Sequence, residues 1–256
     1  MKTYNKGFIY FICLVSAMGG LLFGYDWVVI GGAKIFYEQF FGIAGDPAMQ
    51  GLAMSIALAG CLIGALTSGM LADKLGRKPL LLLSALIFVL TAYGTGAFSN
   101  FQYFLLARFG GGIAIGIASG LSPMYIAEVA PASIRGKLVS LNQLTIVIGI
   151  LAAQIVNWLL VSDDTAWNVA MSWRWMFWSA AFPALAFLVL AAFIPESPRW
   201  LAMKGRRERA TQILTRIGGN AYAQSELSSL QNDMENKQKQ GGLSLLFSKP
   251  YRRVLT

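Results

Sequence analysis

Residues 50–98 read QGLAMSIALAGCLIGALTSGMLADKLGRKPLLLLSALIFVLTAYGTGAF, two long apolar runs joined by one short charged link. The runs at 50–72 and 79–98 are each about as long as the roughly 20 apolar residues that a helix needs to cross a hydrocarbon core. The link carries Asp73, Arg77 and Lys78. Because a segment in lipid must satisfy its own backbone hydrogen bonds, this stretch predicts a hairpin of two transmembrane helices.

Four more apolar runs of similar length lie outside this hairpin, at 7–32, 103–127, 138–161 and 173–194. Together the runs predict an all-α membrane protein with six transmembrane helices. The first run follows basic residues, as a signal peptide does, but it is too long for a signal-peptide core and no clean cleavage site follows it. We therefore expect the first span to be retained.

The charges of the links alternate along the chain. Basic residues precede the first span and follow the second and fourth, whereas the other links are mainly acidic. The basic set is Lys2, Lys6, Lys74, Arg77, Lys78, Arg135 and Lys137, and the other links carry Lys34, Glu38, Asp46, Asp163 and Asp164. Since basic links stay in the cytoplasm, this predicts a multi-pass protein of the cell (inner or plasma) membrane with both termini cytoplasmic.

The composition excludes several other functions. Of 256 residues, 56% are hydrophobic and 13% charged, and there is no His. Cys13 and Cys61 lie inside apolar runs, so neither a disulfide framework nor a metal site is predicted. No nucleophile elbow or phosphate loop occurs, which argues against an enzyme, and no cofactor is expected. The net charge of +9 is concentrated after residue 194, with 11 basic against 5 acidic residues. That distribution favours a cytoplasmic segment beside an anionic leaflet over a nucleic-acid binder.

The chain divides into three parts by its pattern. Residues 1–194 form the predicted bundle, and 195–248 form a predicted cytoplasmic helical linker. The linker has a basic amphipathic helix near 205–217 and a polar helix near 222–239, each followed by a pair of glycines. A disordered tail is the alternative for this segment. Residues 249–256 are interpreted as the lead-in to a missing seventh span.

Two charged residues, Asp26 and Arg108, lie well inside the predicted spans. Each costs about 2.5–3.5 kcal/mol at a helix centre on insertion scales, so each needs a partner or a role. One interpretation is a structural ion pair. The other is a carboxyl that carries a proton beside an arginine that stays charged. Gln143 has two interpretations as well, since it can bind a hydroxylated solute or a neighbouring helix.

Small residues recur at every fourth position of two spans, which predicts close helix packing. The residues are Gly60 and Gly64 in the second span, and Gly112, Gly116 and Gly120 in the fourth.

Four motifs in order resemble the sugar porter family of the major facilitator superfamily. They are GMLADKLGRK at 69–78, PMYIAE at 123–128 followed by RGK at 135–137, WRWMF at 173–177 and PESPRW at 195–200. The resemblance covers essentially the whole chain. It implies the N-terminal six-helix bundle of a twelve-helix major facilitator fold, with inverted three-helix repeats and short cytoplasmic helices.

The resemblance also implies roles for individual residues. Asp26 and Arg108 match proton-coupling positions at the central cavity, and Phe23 and Gln143 match sugar-binding positions. Ile150 stands at a further sugar-binding position, where glucose facilitators carry Ile and xylose symporters carry Gln. A cytoplasmic gate network is implied at Asp73, Arg77, Glu128, Arg135, Glu196 and Arg199. Trp27 departs from the family, since many members carry a small Thr there, and this leaves the sugar open.

The function implied is transport of a monosaccharide, such as xylose or glucose, by alternating access. An acid at position 26 is typical of proton-coupled members, so sugar:proton symport is expected. The alternatives are a facilitator that uses Asp26 only to pair with Arg108, and a membrane sugar sensor that does not transport. The implied partners are the sugar, protons, the bilayer and the missing C-terminal half. A homodimer that replaces that half is the less favoured arrangement.

Overall fold

The computed structural model describes residues 4–239, with side chains as far as Gln231. Six helices are long and apolar enough to cross a membrane, as predicted. Five are single rods: α1 (Lys6–Phe40), α2 (Pro47–Leu75), α3 (Arg77–Ala97), α4 (Phe101–Val129) and α5 (Arg135–Leu160). The sixth is built from α6 (Thr165–Trp167), a π-helical turn (Asn168–Ser172), α7 (Trp173–Ser179) and α8 (Ala181–Phe193). Three further helices follow: α9 (Pro198–Met203), α10 (Arg207–Gly218) and α11 (Asn220–Lys239).

Two helices are longer than the hydropathy predicts. α1 continues to Phe40, so Lys34 and Glu38 lie in its last turns and not in a link. The first helical break comes only near Gly42, which adopts φ +68°. The sixth span begins at residue 165 and not at 173, because Asp164 caps α6 and the π-helical turn carries the helix on. Hydropathy locates apolar residues, whereas capping groups decide where a helix starts.

α1 and α4 form the centre of the bundle and are its most buried helices, and α2 and α5 lie at its flanks. α2 packs on α4 through the predicted glycines: a Cβ at Gly60 or Gly64 would collide with backbone of α4. Gly112 and Gly116 approach the carbonyls of Ala57 and Cys61 in the same way. The predicted small-residue packing is confirmed for this helix pair.

Arg174 closes the end of the bundle at which α3 meets α4. Its guanidinium lies between the rings of Phe40 and Trp173, with centroid distances of 4.8 and 4.5 Å. It donates to the carbonyl of Gly96 at 2.6 Å and to Ser99 Oγ at 3.1 Å. The arginine therefore caps the last carbonyls of α3 in an aromatic setting.

The opposite end, which we call the base, holds the α2–α3 and α4–α5 junctions together with α9–α11. The apolar face of α10, formed by Ala210, Leu214 and Ile217, is buried. The carbonyl of Ile217 accepts from Asn5 N at 2.9 Å. α10 ends at Gly218 and is capped by Gly219, whose φ of +82° suits glycine. The predicted break at Gly241-Gly242 and the predicted lead-in at 249–256 lie outside the described residues.

Candidate functional site

The two intramembrane charges meet at the centre of the bundle. Arg108 Nη1 donates to Asp26 Oδ1 at 2.7 Å, which joins α4 to α1. The side chains are 4% and 12% exposed, so the pair is almost fully removed from solvent. Arg108 also lies over the ring of Phe177, 5.3 Å from its centroid. Its Nε has no hydrogen-bond partner among the described atoms, so the guanidinium keeps an unused donor.

A cavity of about 240 Å³ opens beside this pair, between α1, α2 and α4. Asp26 and Arg108 are its only charged lining residues within the described chain. The remaining wall is mainly apolar and includes Phe23, Trp27, Met54, Leu58 and Ile115. A ligand in this cavity would therefore contact one ion pair and otherwise aromatic or aliphatic side chains.

Of the three predicted sugar positions, one lines this cavity. Phe23 lines the cavity, whereas Gln143 and Ile150 on α5 do not. Gln143 is exposed and Ile150 is half-buried. α5 packs on α1 through a different face, where Thr145 Oγ1 donates to the carbonyl of Ala17 at 2.6 Å.

Sequence reasoning missed the contribution of α2 to the cavity. Met54, Leu58 and Cys61 line it, yet they are apolar residues in an apolar helix and carry no distinguishing signal. Trp27, a departure from the family pattern, also belongs to this site. It is 55% exposed and lines the cavity beside Asp26.

At the base, Arg77 joins three elements. Its Nε and Nη2 donate to the two carboxylate oxygens of Glu128 at 2.9 and 2.8 Å. Its Nη1 donates to the carbonyl of Ala72 at 3.0 Å and lies 3.3 Å from Asp73 Oδ1. Arg77 is 4% exposed, so the start of α3 is held to the ends of α2 and α4 by a buried fork of hydrogen bonds.

Glu196 attaches the end of the sixth span to the same junction. Its carboxylate accepts from the backbone N–H groups of Arg77 at 2.9 Å and Lys78 at 3.2 Å. It therefore caps the N-terminus of α3, where a negative charge is favourable. Gly76 adopts φ +99°, and a Cβ there would strike this carboxylate. The glycine of the 69–78 motif thus makes room for the cap.

The other two predicted network residues, Arg135 and Arg199, take no part in these ion pairs. Arg135 Nε donates to the carbonyl of Ala130 at 3.3 Å, a contact with its own junction. Arg199 borders a groove of about 500 Å³ that also touches Asp73 and Glu128. Within residues 4–231 neither arginine forms an ion pair. The structure brings together Asp73, Arg77, Glu128 and Glu196.

The geometry defines a membrane bundle with a central ion pair and a charged junction at one end. Known proteins are similar to this chain in sequence and in fold. A family model described as "Sugar (and other) transporter" matches residues 12–256. The arabinose-proton symporter of Bacillus subtilis (strain 168) is 38% identical over 255 residues, covering 99% of this chain and 54% of that protein. The D-xylose-proton symporter of Escherichia coli (strain K12) is 38% identical over 269 residues, covering 95% and 55%.

A solved structure agrees with these sequences. The proton:xylose symporter of the major facilitator superfamily bound to 6-bromo-6-deoxy-D-glucose superposes with a TM-score of 0.89 at 37% identity. The match covers 95% of this chain and 57% of that one. The fold is therefore the N-terminal six-helix half of a major facilitator protein. The chain belongs to the sugar transporter family, and it spans about half the length of the curated relatives that it matches.

Proposed function

We propose that this chain is the N-terminal half of a monosaccharide transporter that works by alternating access and couples sugar movement to protons. The buried pair of Asp26 and Arg108 beside the central cavity carries this proposal. Isolated charges in a span are costly, and buried ion pairs are poor stabilisers compared with apolar packing. A functional role for the pair accounts for its presence.

The pair has the properties that proton coupling needs. Arg108 stays charged, whereas the carboxyl of Asp26 can bind a proton. Protonation of Asp26 removes its charge and weakens the bond to Arg108, whose guanidinium then becomes available to other acceptors. The cavity beside the pair supports a link to the sugar, because we assign this cavity to sugar binding. Loading by a proton and loading by a sugar are thereby linked at one point of the bundle.

The sugar contacts are assigned in two groups. Phe23 and Trp27 offer aromatic faces to the C–H surface of a sugar inside the cavity. Gln143 and Ile150 lie outside that wall on α5, and we assign them to the sugar only when the C-terminal half completes the site. Two of the relatives are named as symporters of the pentoses arabinose and xylose, which makes pentoses the first substrates to test.

The charged junction at the base is assigned to the gate. Arg77, Glu128 and Glu196 fix the ends of four helices to one another, so these helices move together. Arg135 and Arg199 have no ion-pair partner in the described half, and we assign them to contacts with the second half. The basic links support a cytoplasmic base in the cell membrane. No enzymatic step is assigned to the chain.

The test is uptake of labelled pentoses and hexoses into proteoliposomes, with and without an imposed inward proton gradient. The proteins are the 256-residue chain and the same chain joined to the C-terminal half of the E. coli xylose symporter. We expect gradient-dependent accumulation by the joined protein and none by the 256-residue chain. Transport by the chain alone would contradict its assignment as one half.

Asp26→Asn in the joined protein separates symport from facilitation. We expect it to abolish gradient-driven accumulation while leaving exchange of sugar down its gradient. Asp163→Asn is the matched control, because Asp163 is an exposed carboxylate in the α5–α6 link. Accumulation that survives Asp26→Asn would show that the ion pair is structural and would favour the facilitator. Loss of exchange as well would count against a purely coupling role.

A further inference from the structure

A second cavity, of about 450 Å³, lies at the base where α3 begins and α8 ends. We call it the basic cavity. Its walls combine Lys78, Arg206 and Arg209 with apolar residues that include Leu75 and Trp200. It shares Glu196 and Lys78 with the charged junction and no lining residue with the central cavity.

The charge inside the basic cavity is not compensated by the protein. Three cations line it against one carboxylate, Glu196, so the balance is +2. That carboxylate already accepts from the N–H groups of Arg77, Lys78 and Ser197. Within residues 4–231, Arg206 and Arg209 form no ion pair with an acid. An anion is therefore the ligand that the lining favours.

The start of α10 adds to this preference. Arg206 and Arg209 flank the first turn of the helix, whose N–H groups no side chain caps. Cations at a helix N-terminus are unfavourable on their own, whereas an anion there is stabilised by the N–H groups. Glu208 supplies one negative charge to that turn but does not line the basic cavity. An anion in the cavity would offset both the arginines and the exposed helix end.

The position of the basic cavity selects the kind of anion. Lys78 Nζ donates to the carbonyl of Ala192 at 2.6 Å, so the cavity begins at the level where two membrane helices end. Large apolar side chains stand exposed at the same corner, with Leu75 at 50% and Phe193 at 71%. They belong to the ends of α2 and α8, where acyl chains would contact them. Basic residues beside an apolar membrane face are typical of an anionic lipid site.

We infer that the basic cavity binds the phosphate headgroup of an anionic phospholipid from the leaflet at the base. The phosphate lies between Arg206, Arg209 and Lys78, and the glycerol and acyl chains run along Leu75 and Phe193. Trp200 supports the site, since Arg206 lies 6.0 Å from its ring centroid. This inference rests on the membrane fold and does not depend on which sugar is carried or on proton coupling.

The test measures lipid retention by native mass spectrometry of the full chain in neutral detergent, titrated with phosphatidylglycerol or phosphatidylcholine. We expect the first phosphatidylglycerol to bind at least about tenfold more tightly than phosphatidylcholine. For Arg206→Gln/Arg209→Gln the affinity for phosphatidylglycerol should fall about thirtyfold, on the scale of about one kcal/mol per basic residue near an anionic surface. Arg207→Gln/Arg216→Gln is the control, and it should stay within about threefold of the parent chain.

The control removes the same number of positive charges, two, from α10. Arg207 faces the amide of Gln231, and Arg216 lies over Phe8, so neither lines the basic cavity. Equal loss in both double variants would show non-specific attraction and overturn the inference. If the parent chain binds phosphatidylglycerol no more tightly than phosphatidylcholine, the inference is overturned whatever the variants show. Equal affinity for soluble glycerol phosphate and for the lipid would also overturn it, because the site would then bind a free anion.

Discussion

The bond between Arg77 and Glu128 allows a stability prediction whose size follows from burial. Arg77 is 4% exposed and Glu128 9%, and two hydrogen bonds of 2.9 and 2.8 Å join them. Removing one partner leaves the other charge buried without compensation, which typically costs about 3–5 kcal/mol. We therefore expect Arg77→Gln and Glu128→Gln each to lower the free energy of unfolding by about that amount.

The control for this prediction is Asp73, the second carboxylate that Arg77 contacts. Asp73 lies 3.3 Å from Arg77 Nη1, but its side chain is 70% exposed. Exposed pairs contribute only about 0–1 kcal/mol because water screens them. Asp73→Asn should thus cost less than about 1 kcal/mol, although it changes one carboxylate to an amide just as Glu128→Gln does.

The assay is a double-mutant cycle on the full chain in mixed micelles, unfolded with a denaturing detergent and followed by helical circular dichroism. The double variant Arg77→Gln/Glu128→Gln should lose less than the sum of the single variants, with a coupling energy of about 2–3 kcal/mol. A coupling energy below about 0.5 kcal/mol would refute the reasoning, because the pair would then behave as a screened surface contact. Equal costs for Asp73→Asn and Glu128→Gln would refute it too.

Three further predictions concern helix packing and helix hydrogen bonds, and they use the same unfolding assay. Gly112→Val should lower the free energy of unfolding by about 1–3 kcal/mol, because the new side chain would collide with the backbone of Ala57. Gly69 faces open space, so Gly69→Ala should be neutral or slightly stabilising, and equal effects of the two substitutions would contradict this reasoning. Thr145→Val should cost only about 0.6 kcal/mol, the mean for hydrogen bonds between membrane helices, and a loss above about 2 kcal/mol would contradict it. Arg174→Gln removes a charged cap of α3 and should cost about 2–4 kcal/mol, and an unchanged unfolding curve would show that the cap is dispensable.

The number and order of the membrane helices could be predicted because hydrocarbon imposes a minimum apolar length. The pairing of Asp26 with Arg108 could be anticipated for a related reason, since an isolated charge in a span is costly and two charges of opposite sign tend to meet. The small-residue faces of α2 and α4 could also be predicted from the sequence, because close approach of helices requires small residues. Each of these features follows from a physical constraint that can be checked on the residues of one or two helices.

The orientation of α5 could not be predicted in this way. The face of α5 that meets α1 carries polar and small residues, such as Asn142, Thr145 and Gly149, so hydrophobicity does not identify it as the buried face. The partner face is chosen by shape, such as Gly149 against the backbone of Leu21. The cap of α3 by Glu196 was equally hidden, because the two groups are 119 residues apart in the chain. The family motifs indicate that Arg77 and Glu196 matter, but not that the carboxylate of Glu196 accepts hydrogen bonds from the backbone at the start of α3.

α4 links the two charged centres of the bundle. It carries Arg108 at the central cavity and Glu128 at the base, and at 1.5 Å per residue these lie about 30 Å apart along the helix. Gly112 holds α2 tightly against it, and Glu128 holds α3 through Arg77. We therefore expect the three helices to move as one body when the pairing of Arg108 changes. Pro123 lies inside α4 between the two centres and lacks one backbone N–H, so bending within this body would occur there. If the body stays rigid, the opening that the proposed function requires would be made against a second half, and Arg135 and Arg199, which form no ion pair within residues 4–231, are the cations that we assign to it.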